Sequence, residues 1–387
     1  MNSKPTGHFL LVLPWEPHHH GGVTGVVQNL LKVIKSDTLQ ALLAINTWEV
    51  RYPQYGNDGV WRLRMPALAT EDSRKIAKSL LMAPCGLLRL RLFIKKMNIR
   101  AINFHYPGSA PIGIAVLKAL GLYDGALILS FHGTDVHEPS GWLERHLTKF
   151  ILNASDALVA CSESLALRMA KTFELPSNRI TVIHNGVDSV RFRPDCPAPP
   201  SFAGPQPESY IISNGAYIPR KDHLTVVRAF AVVAVTHPKL ELVIVGASGP
   251  DHERITKLAG ELGLASRIHA LCSVEQAGVA YLLSRATLCV QAALAESFPL
   301  ALLEAAAANT PAIVSRIPGH TELVLDGVTG NSFATGDVQG CAAAIDEALS
   351  HPERTHAMAA TLRSKVVSEF TWEACADAYL RLVRDPR

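Results

Sequence analysis

The sequence predicts an α/β protein of two doubly wound domains, each a parallel sheet with helices on both faces. Three observations carry that expectation. Short apolar runs alternate with longer amphipathic stretches along the whole chain, the pattern of parallel strands joined by crossover helices. At 387 residues the chain exceeds what one hydrophobic core usually serves. The stretch RFRPDCPAPPSFAGPQPES (191–209) holds six prolines in nineteen residues, and no regular element accommodates that. It reads as an interdomain linker, so the expected domains are 1–190 and 210–370, followed by a last segment over 371–387.

The strands follow in order. In the first half they are FLLVLP (9–14), ALLAINTW (41–48), AINFHYP (101–107), ALILSFHG (126–133) and ALVACS (157–162). In the second half they are YIISNGAY (210–217), ELVIVGA (241–247), RIHAL (267–271), TLCVQA (287–292) and PAIVSR (311–316). Open α/β sheets bind ligands beyond the carboxyl ends of their strands. Gly21, Gly22, His105, His132 and Glu296 all fall at such ends, and facing strand ends across a cleft would form one shared site.

Composition narrows the class. Apolar residues make up 48% and charged residues 18%, which suits a packed globular protein. A net charge of +3 is too small to announce a nucleic-acid binder. Seven scattered cysteines without a CxxC pair point to neither a disulfide framework nor a zinc cage, and fit a reducing cytosol. The run at 9–14 is short for a signal-peptide core, and none approaches the ~18 residues of a membrane span. A soluble protein is expected.

The stretch PWEPHHHGGVTGVVQNLL (14–31) sets Gly21, Gly22 and Gly25 between a strand and a helix expected to begin near Thr24. Glycines let backbone approach a ligand, and a helix start presents unpaired N–H groups with partial positive charge, a combination that suits a diphosphate. It also suits a plain tight turn. Adjacent His18, His19 and His20 point in different directions on an extended loop and lack a fourth ligand, so no metal site is expected there.

The stretch ESFPLALLEAAAANTPAIVS (296–315) places Glu304 eight residues after Glu296. Along a helix the two carboxylates would lie roughly 12 Å apart, beyond the ~5–9.5 Å of a glycosidase pair. Two contacts on one elongated ligand fit better. Glu304 sits among Leu and Ala, so its carboxyl needs a partner, either a ligand hydroxyl or backbone.

Eight segments in order, GGV (21–23), FHGTD (131–135), CSESLALRM (161–169), VIHNGVD (182–188), SNGAYIPRKD (213–222), LVIVGASG (242–249), ESFPLALLE (296–304) and PGHTELVLDGVTG (318–330), resemble the group 1, family 4 retaining glycosyltransferases. The resemblance covers nearly the whole chain. It implies the GT-B fold, two Rossmann-like domains facing a central cleft, and transfer of sugar from a nucleotide-sugar with retention. By the same resemblance, Gly21, Gly22 and Val23 hold the donor diphosphate together with Lys221. Ala216 stands where the family usually has Arg, and neighbouring Arg220 is the candidate substitute. Glu296 falls on donor sugar hydroxyls and Glu304 on the nucleotide ribose. Ser297, Phe298, Pro299 and Leu300 meet the phosphates, with the N–H groups around Phe298 and Leu300 as donors. His132 lies near the reacting sugar carbon. Asp135 orients its loop or caps a helix, and Asn214 and Leu271 are supporting candidates. Catalysis is expected from Glu296 and His132. The segment TWEACADAYLRLVR should form a helix that returns to the first domain.

No Asp-x-Asp occurs, so neither metal nor other cofactor is expected, and leaving-group charge falls to Lys221, Arg220 and helix starts. A UDP or GDP sugar is the expected donor. Residues 71–100 carry a charge of +6, against −3 for the rest, and interleave Leu, Phe and Ile with Arg and Lys. A helix pair broken at Pro84–Gly86 could lie on an anionic membrane, or be a core-facing helix with a solvated basic face. Docking would imply a lipid-linked saccharide acceptor from surface polysaccharide biosynthesis and a cytoplasmic, peripheral location. Two other functions share the donor site: a nucleotide-sugar epimerase, and a catalytically silent binding subunit suggested by Ala216.

Overall fold

A computed structural model describes residues 7–18, 21–34, 39–47, 49–65 and 73–384, with side chains of its second helix from residue 83 onward. The chain divides into two compact units, one of Met1–His184 with Trp372–Arg387, the other of Asn185–Thr371.

In unit 1 the order is β1 (Gly7–Leu13), α1 (Gly22–Val33), β2 (Leu39–Asn46), β3 (Gln54–Tyr55), β4 (Trp61–Leu63), α2 (Ser73–Lys96), β5 (Ile99–His105), α3 (Ile112–Ala119), β6 (Ala126–Phe131), α4 (Trp142–Ala154), β7 (Ala157–Ala160), α5 (Glu163–Thr172) and β8 (Ile180–Val182). The eight strands lie in the order β3-β4-β2-β1-β5-β6-β7-β8, parallel except for the β3–β4 pair. Fully buried Phe9, Leu10, Leu11 and Phe104 fill the middle of this sheet, as continuous apolar runs do when helices cover both faces.

Unit 2 follows with β9 (Tyr210–Asn214), α6 (His223–Val233), β10 (Glu241–Gly246), α7 (Asp251–Glu261), β11 (Ile268–Cys272), α8 (Gln276–Arg285), β12 (Leu288–Gln291), α9 (Leu300–Ala307), β13 (Ala312–Ser315), α10 (Pro318–Thr321), β14 (Asn331–Phe333), α11 (Val338–Ser350) and α12 (Pro352–Glu369). Its six strands are ordered β11-β10-β9-β12-β13-β14 and pair in parallel. Chain order reverses between β9 and β12, and between β1 and β5 in unit 1. Such switch points open a crevice at the strands' carboxyl ends.

The last helix, α13 (Trp372–Arg384), belongs to unit 1 and buries Trp372, Cys375, Ala376, Tyr379 and Leu380.

Three local expectations change. The proline stretch 191–209 holds no helix or strand, but it is counted with unit 2. Phe202 packs edge-on against Tyr281, with centroids 5.4 Å apart, and the Tyr281 hydroxyl donates to Gln206 Oε1 at 2.9 Å. The basic segment is one helix of 24 residues with Pro84 inside, not a pair. Proline removes a single helical hydrogen bond, and burial of Leu90, Phe93 and Ile94, with Phe93 edge-on to Trp61 at 4.9 Å, holds the helix beyond it. Finally, α1 starts at Gly22, two residues before the expected Thr24.

Gly246 ends β10 beneath the loop that follows β9. A Cβ there would sit 1.8 Å from the Gly215 carbonyl oxygen, a backbone atom that cannot give way cheaply. Gly246→Ala is expected to cost about 1–3 kcal/mol of stability, measured by urea unfolding; an unchanged midpoint would contradict this packing.

Candidate functional site

In unit 2 the site grows from the loop after β9. Asn214 ends the strand, buried, and its Oδ1 accepts from Gln291 Nε2 at 2.5 Å while its Nδ2 donates to Ala301 O at 3.1 Å. It thereby ties β9, β12 and α9 together at the switch point. Gly215 to Ile218 then pass over Gly246, with the Tyr217 N–H on Ala247 O at 2.9 Å. The Tyr217 hydroxyl donates to Ile244 O at 2.7 Å and reaches Leu271 O at 3.1 Å, so Leu271 contributes its backbone.

A 3-10 turn over Pro219–Lys221 follows, and Asp222 stops it in the left-handed region at φ 48°. Its carboxylate accepts from the N–H and hydroxyl of Thr225 at 3.3 and 2.7 Å, capping α6. Buried His223 spans Ser213 Oγ at 3.0 Å and Gly215 O at 3.2 Å, clamping the loop from below. Burial holds it neutral, down to about 4.

This turn delivers Lys221 inward and leaves Arg220 exposed. The Arg220 carbonyl accepts from Leu294 N at 2.8 Å, joining the loops that follow β9 and β12. Lys221 Nζ meets Glu296 Oε1 at 2.6 Å, with side-chain exposures of 14% and 10%. The pair is an ion contact whose angles fall outside hydrogen-bond geometry, which leaves directional capacity on both groups for a ligand.

Glu296 precedes α9 by four residues, with Pro299 at the N-cap and the helix starting at Leu300. Helical rise therefore does not separate Glu296 from Glu304, so the 12 Å expectation loses its basis. Lys221 acts on both carboxylates. Burial pushes Glu304 up to about 7, while Lys221 and Arg191 pull it down. The α9 start has no side-chain cap, and the first N–H groups of a helix lack intrahelical acceptors. Leu300 and half-buried Ser297 border that start, over buried Phe298 and Pro299.

Two residues missed by sequence reasoning join them. Arg191 lies three positions after the quoted VIHNGVD motif, and its N–H donates to Asp188 Oδ1 at 3.0 Å. His320, inside the quoted PGHTELV motif, is fully buried. Its Nδ1 faces Ser315 O at 3.0 Å and so carries the proton, while Nε2 is buried without a partner among the described residues. Burial lowers it to about 4, with Glu296 raising and Lys221 lowering it. Gly319 brings it there: a Cβ on Gly319 would lie 2.3 Å from Glu296 O.

In unit 1, Gly21 is the extended N-cap of α1, without a side-chain cap, and a Cβ on Gly21 would meet nothing within 4 Å. Gly22 and Val23 open the first turn, and Trp15 Nε1 donates to Thr24 Oγ1 at 2.9 Å beside it. His132 follows β6. Its N–H and that of Gly133 converge on the Asp135 carboxylate at 3.0 and 2.6 Å, so Asp135 orients this loop. It caps no helix, since α4 starts at Trp142 with Gly141 at its N-cap. Burial pushes the Asp135 carboxyl up against those hydrogen bonds. His132 Nε2 lies 3.0 Å from His105 Nδ1. Among the described residues no three His, Cys, Asp or Glu side chains gather as a metal-binding set. His18 is exposed, and His19 and His20 lie outside the described residues.

A family model described as glycosyl transferases group 1 matches residues 199–365, and one described as Glycosyltransferase Family 4 matches 21–191. The chain belongs to the group 1 glycosyltransferase family. Within it, the chain is 30% identical over 279 residues to a glycogen synthase of Mycobacterium tuberculosis (strain ATCC 25618 / H37Rv), covering 68% of this chain and 65% of that relative. The chain thus spans just under two thirds of that relative's length. It is 29% identical to N-acetyl-alpha-D-glucosaminyl L-malate synthase of Bacillus anthracis, over 75% and 76% of the two chains. The structure of Anabaena HepE in complex with UDP-glucose superposes with a TM-score of 0.69 at 16% identity, covering 97% and 99%, and shares the fold. Each unit is thus a Rossmann-like half of the family's GT-B architecture.

The Glu304 carboxyl binds its proton more tightly folded than unfolded, about 7 against an ordinary 4.5. Such a group confers full stability below the unfolded value and loses it as pH rises through the folded one, here roughly 3 kcal/mol. Glu304→Gln is expected to match the native protein near pH 5 and exceed it near pH 8. Urea unfolding of the ligand-free protein at both pH values checks this; a constant difference between them would refute it.

Proposed function

We propose that this chain transfers a glycosyl group from a nucleotide-sugar to a saccharide acceptor, with retention at the sugar carbon. The observation that carries the reading is the Lys221 ammonium, nearly buried at the β9–β12 switch point against Glu296 and beside the uncapped start of α9. A fixed cation and free N–H groups meet the charge that develops on a departing diphosphate, where water would otherwise have to reorganise. The sequence supplies this charge in place of an Asp-x-Asp motif.

Under this reading Lys221, with Arg220 at the rim, holds the diphosphate. Ser297, Phe298, Pro299 and Leu300 present the helix start to it, and Gly21, Gly22 and Val23 of unit 1 offer a second glycine-lined helix start. Glu304 takes ribose hydroxyls, whose donated hydrogen bonds offset the cost of its enclosed carboxyl. Glu296 takes sugar hydroxyls and orients the anomeric carbon. The acceptor oxygen attacks from the face the diphosphate leaves, and its proton passes to the departing phosphate oxygen. His132 donates to the sugar, and Asp135 sets its loop. UDP-glucose bound to HepE supports a UDP-sugar as the first donor to try.

The acceptor is read as a lipid-linked saccharide of surface polysaccharide biosynthesis, handled on the cytoplasmic face of the membrane. In support, α2 exposes Leu88 and Leu92 beside exposed Lys95 and Lys96, a mixture that favours an anionic lipid surface. No described helix is long and apolar enough to cross a membrane.

A thermal-shift series with UDP-, GDP- and ADP-sugars should give one clear stabilisation. Glu296→Ala should then lower transfer about 10²–10³-fold with nucleotide binding retained, and Lys221→Ala should lose binding. Turnover near native in Glu296→Ala, or epimerised sugar from donor alone, would overturn the reading.

A further inference from the structure

Behind His132 runs a continuous line of buried polar side chains. Asn103 and His105 on β5, and Ser130 and His132 on and after β6, share one face of the sheet because side chains alternate along strands, with His105 paired to Ser130 in register. Tyr379 of α13 closes the line. Its hydroxyl lies 2.9 Å from Ser130 Oγ, Ser130 Oγ lies 2.8 Å from Asn103 Oδ1, Asn103 Nδ2 lies 3.1 Å from His105 Nε2, and His105 Nδ1 lies 3.0 Å from His132 Nε2. Asn103, His105, Ser130 and Tyr379 are at most 3% exposed.

We propose that the Ser130 and Tyr379 hydroxyls, through this line, fix His132 as a neutral imidazole with its proton on Nδ1, a hydrogen-bond donor rather than a base. The polarity follows from counting protons. Tyr379 and Ser130 bring two hydroxyl protons to one end of the Asn103 carboxamide. If that end were the NH₂ group, one proton would be stranded in the interior, a costly defect. The carboxamide therefore turns its oxygen to Ser130, and Tyr379 donates to Ser130. Asn103 Nδ2 then donates to His105 Nε2, which must be bare. The proton of His105 sits on Nδ1 and is donated to His132 Nε2. His132 keeps its own proton on Nδ1, the nitrogen outside the line.

The surroundings favour the neutral forms. Burial lowers His105 well below its ordinary value and His132 to about 4, and pushes the Tyr379 phenol up. A general base would need a value nearer the working pH. Asn103, His105, Ser130 and Tyr379 are thus positioning residues. The step rests on the proposed function only in what His132 donates to: an oxygen of the transferred sugar.

The test is the ring ¹⁵N spectrum of the full chain labelled at histidine, with and without the double substitution Ser130→Ala with Tyr379→Phe. In the native protein His105 and His132 should each show a single tautomer protonated at Nδ1. With both hydroxyl protons gone the Asn103 carboxamide can turn either way, so the double substitution should give His132 a mixture of both tautomers. Transfer should fall about tenfold with UDP binding unchanged. A native His132 protonated at Nε2, or a double-variant spectrum identical to native, overturns the proposal. The expected spectra in a chain that transfers no sugar would uphold the proton assignment and reject the transferase reading instead.

Discussion

One cation at the carboxyl end of β9 organises unit 2. Taking the Lys221 ammonium out of water costs several kcal/mol, and a single carboxylate at 2.6 Å recovers that only if geometry holds both ends in place. The surrounding structure supplies that restraint. Asp222 turns the chain in the left-handed region, His223 clamps Gly215 from below, and Gly246 leaves room for the loop to pass. On the other side Asn214 and Gln291 lock β9 to β12, and Gly319 lets the next loop lie directly on the Glu296 backbone. Removing either charge would leave its partner enclosed and unpaired, so the pair is better understood as a held position than as a source of stability.

Glu304 shows the same logic from the other direction. It is an enclosed carboxyl without enough compensation, and its upward shift to about 7 records the shortfall. A side chain that only strengthened the fold would not sit this way. On the proposed function, an upward shift within α9, beside a fixed cation, fits a group arranged for a ligand.

The sheets were legible because continuous apolar runs between helices announce buried parallel strands; all ten expected runs contain one. Gln54–Tyr55, Trp61–Leu63, Ile180–Val182 and Asn331–Phe333 escaped notice, since two or three residues carry no periodicity. The helix through Pro84 was misjudged because local propensity was weighed without the packing of Leu90 and Phe93. At the site, the spacing singled out Glu296 and Glu304 and the family resemblance singled out Lys221, but the spacing argument treated Glu296 as helical when Pro299 only caps the helix. Arg191 and His320 sat inside or beside quoted motifs without a chemical signature of their own. Tyr379 had none at all: only the return of α13 to unit 1 brings it to Ser130.

The two units repeat one topology yet equip their switch points differently. Unit 2 concentrates formal charge, with one lysine serving two glutamates and an arginine nearby. Unit 1 offers neutral groups: an uncapped glycine-lined helix start, and a histidine that burial keeps neutral, on a loop that the Asp135 carboxylate orients. On the proposed function that difference has a physical reason. Charge develops on the departing diphosphate, where a fixed cation is most effective in a poorly hydrated site. The sugar itself acquires positive character as its bond to phosphate lengthens, and a second cation beside it would oppose the reaction. A neutral Nδ1–H can hold a sugar oxygen in place without adding that opposing charge. Burial alone would keep His132 uncharged but would leave its proton on either nitrogen. On the proposed proton assignment, the line back to the Ser130 and Tyr379 hydroxyls decides between the two, which would make a helix at the end of the chain matter to a histidine near its middle.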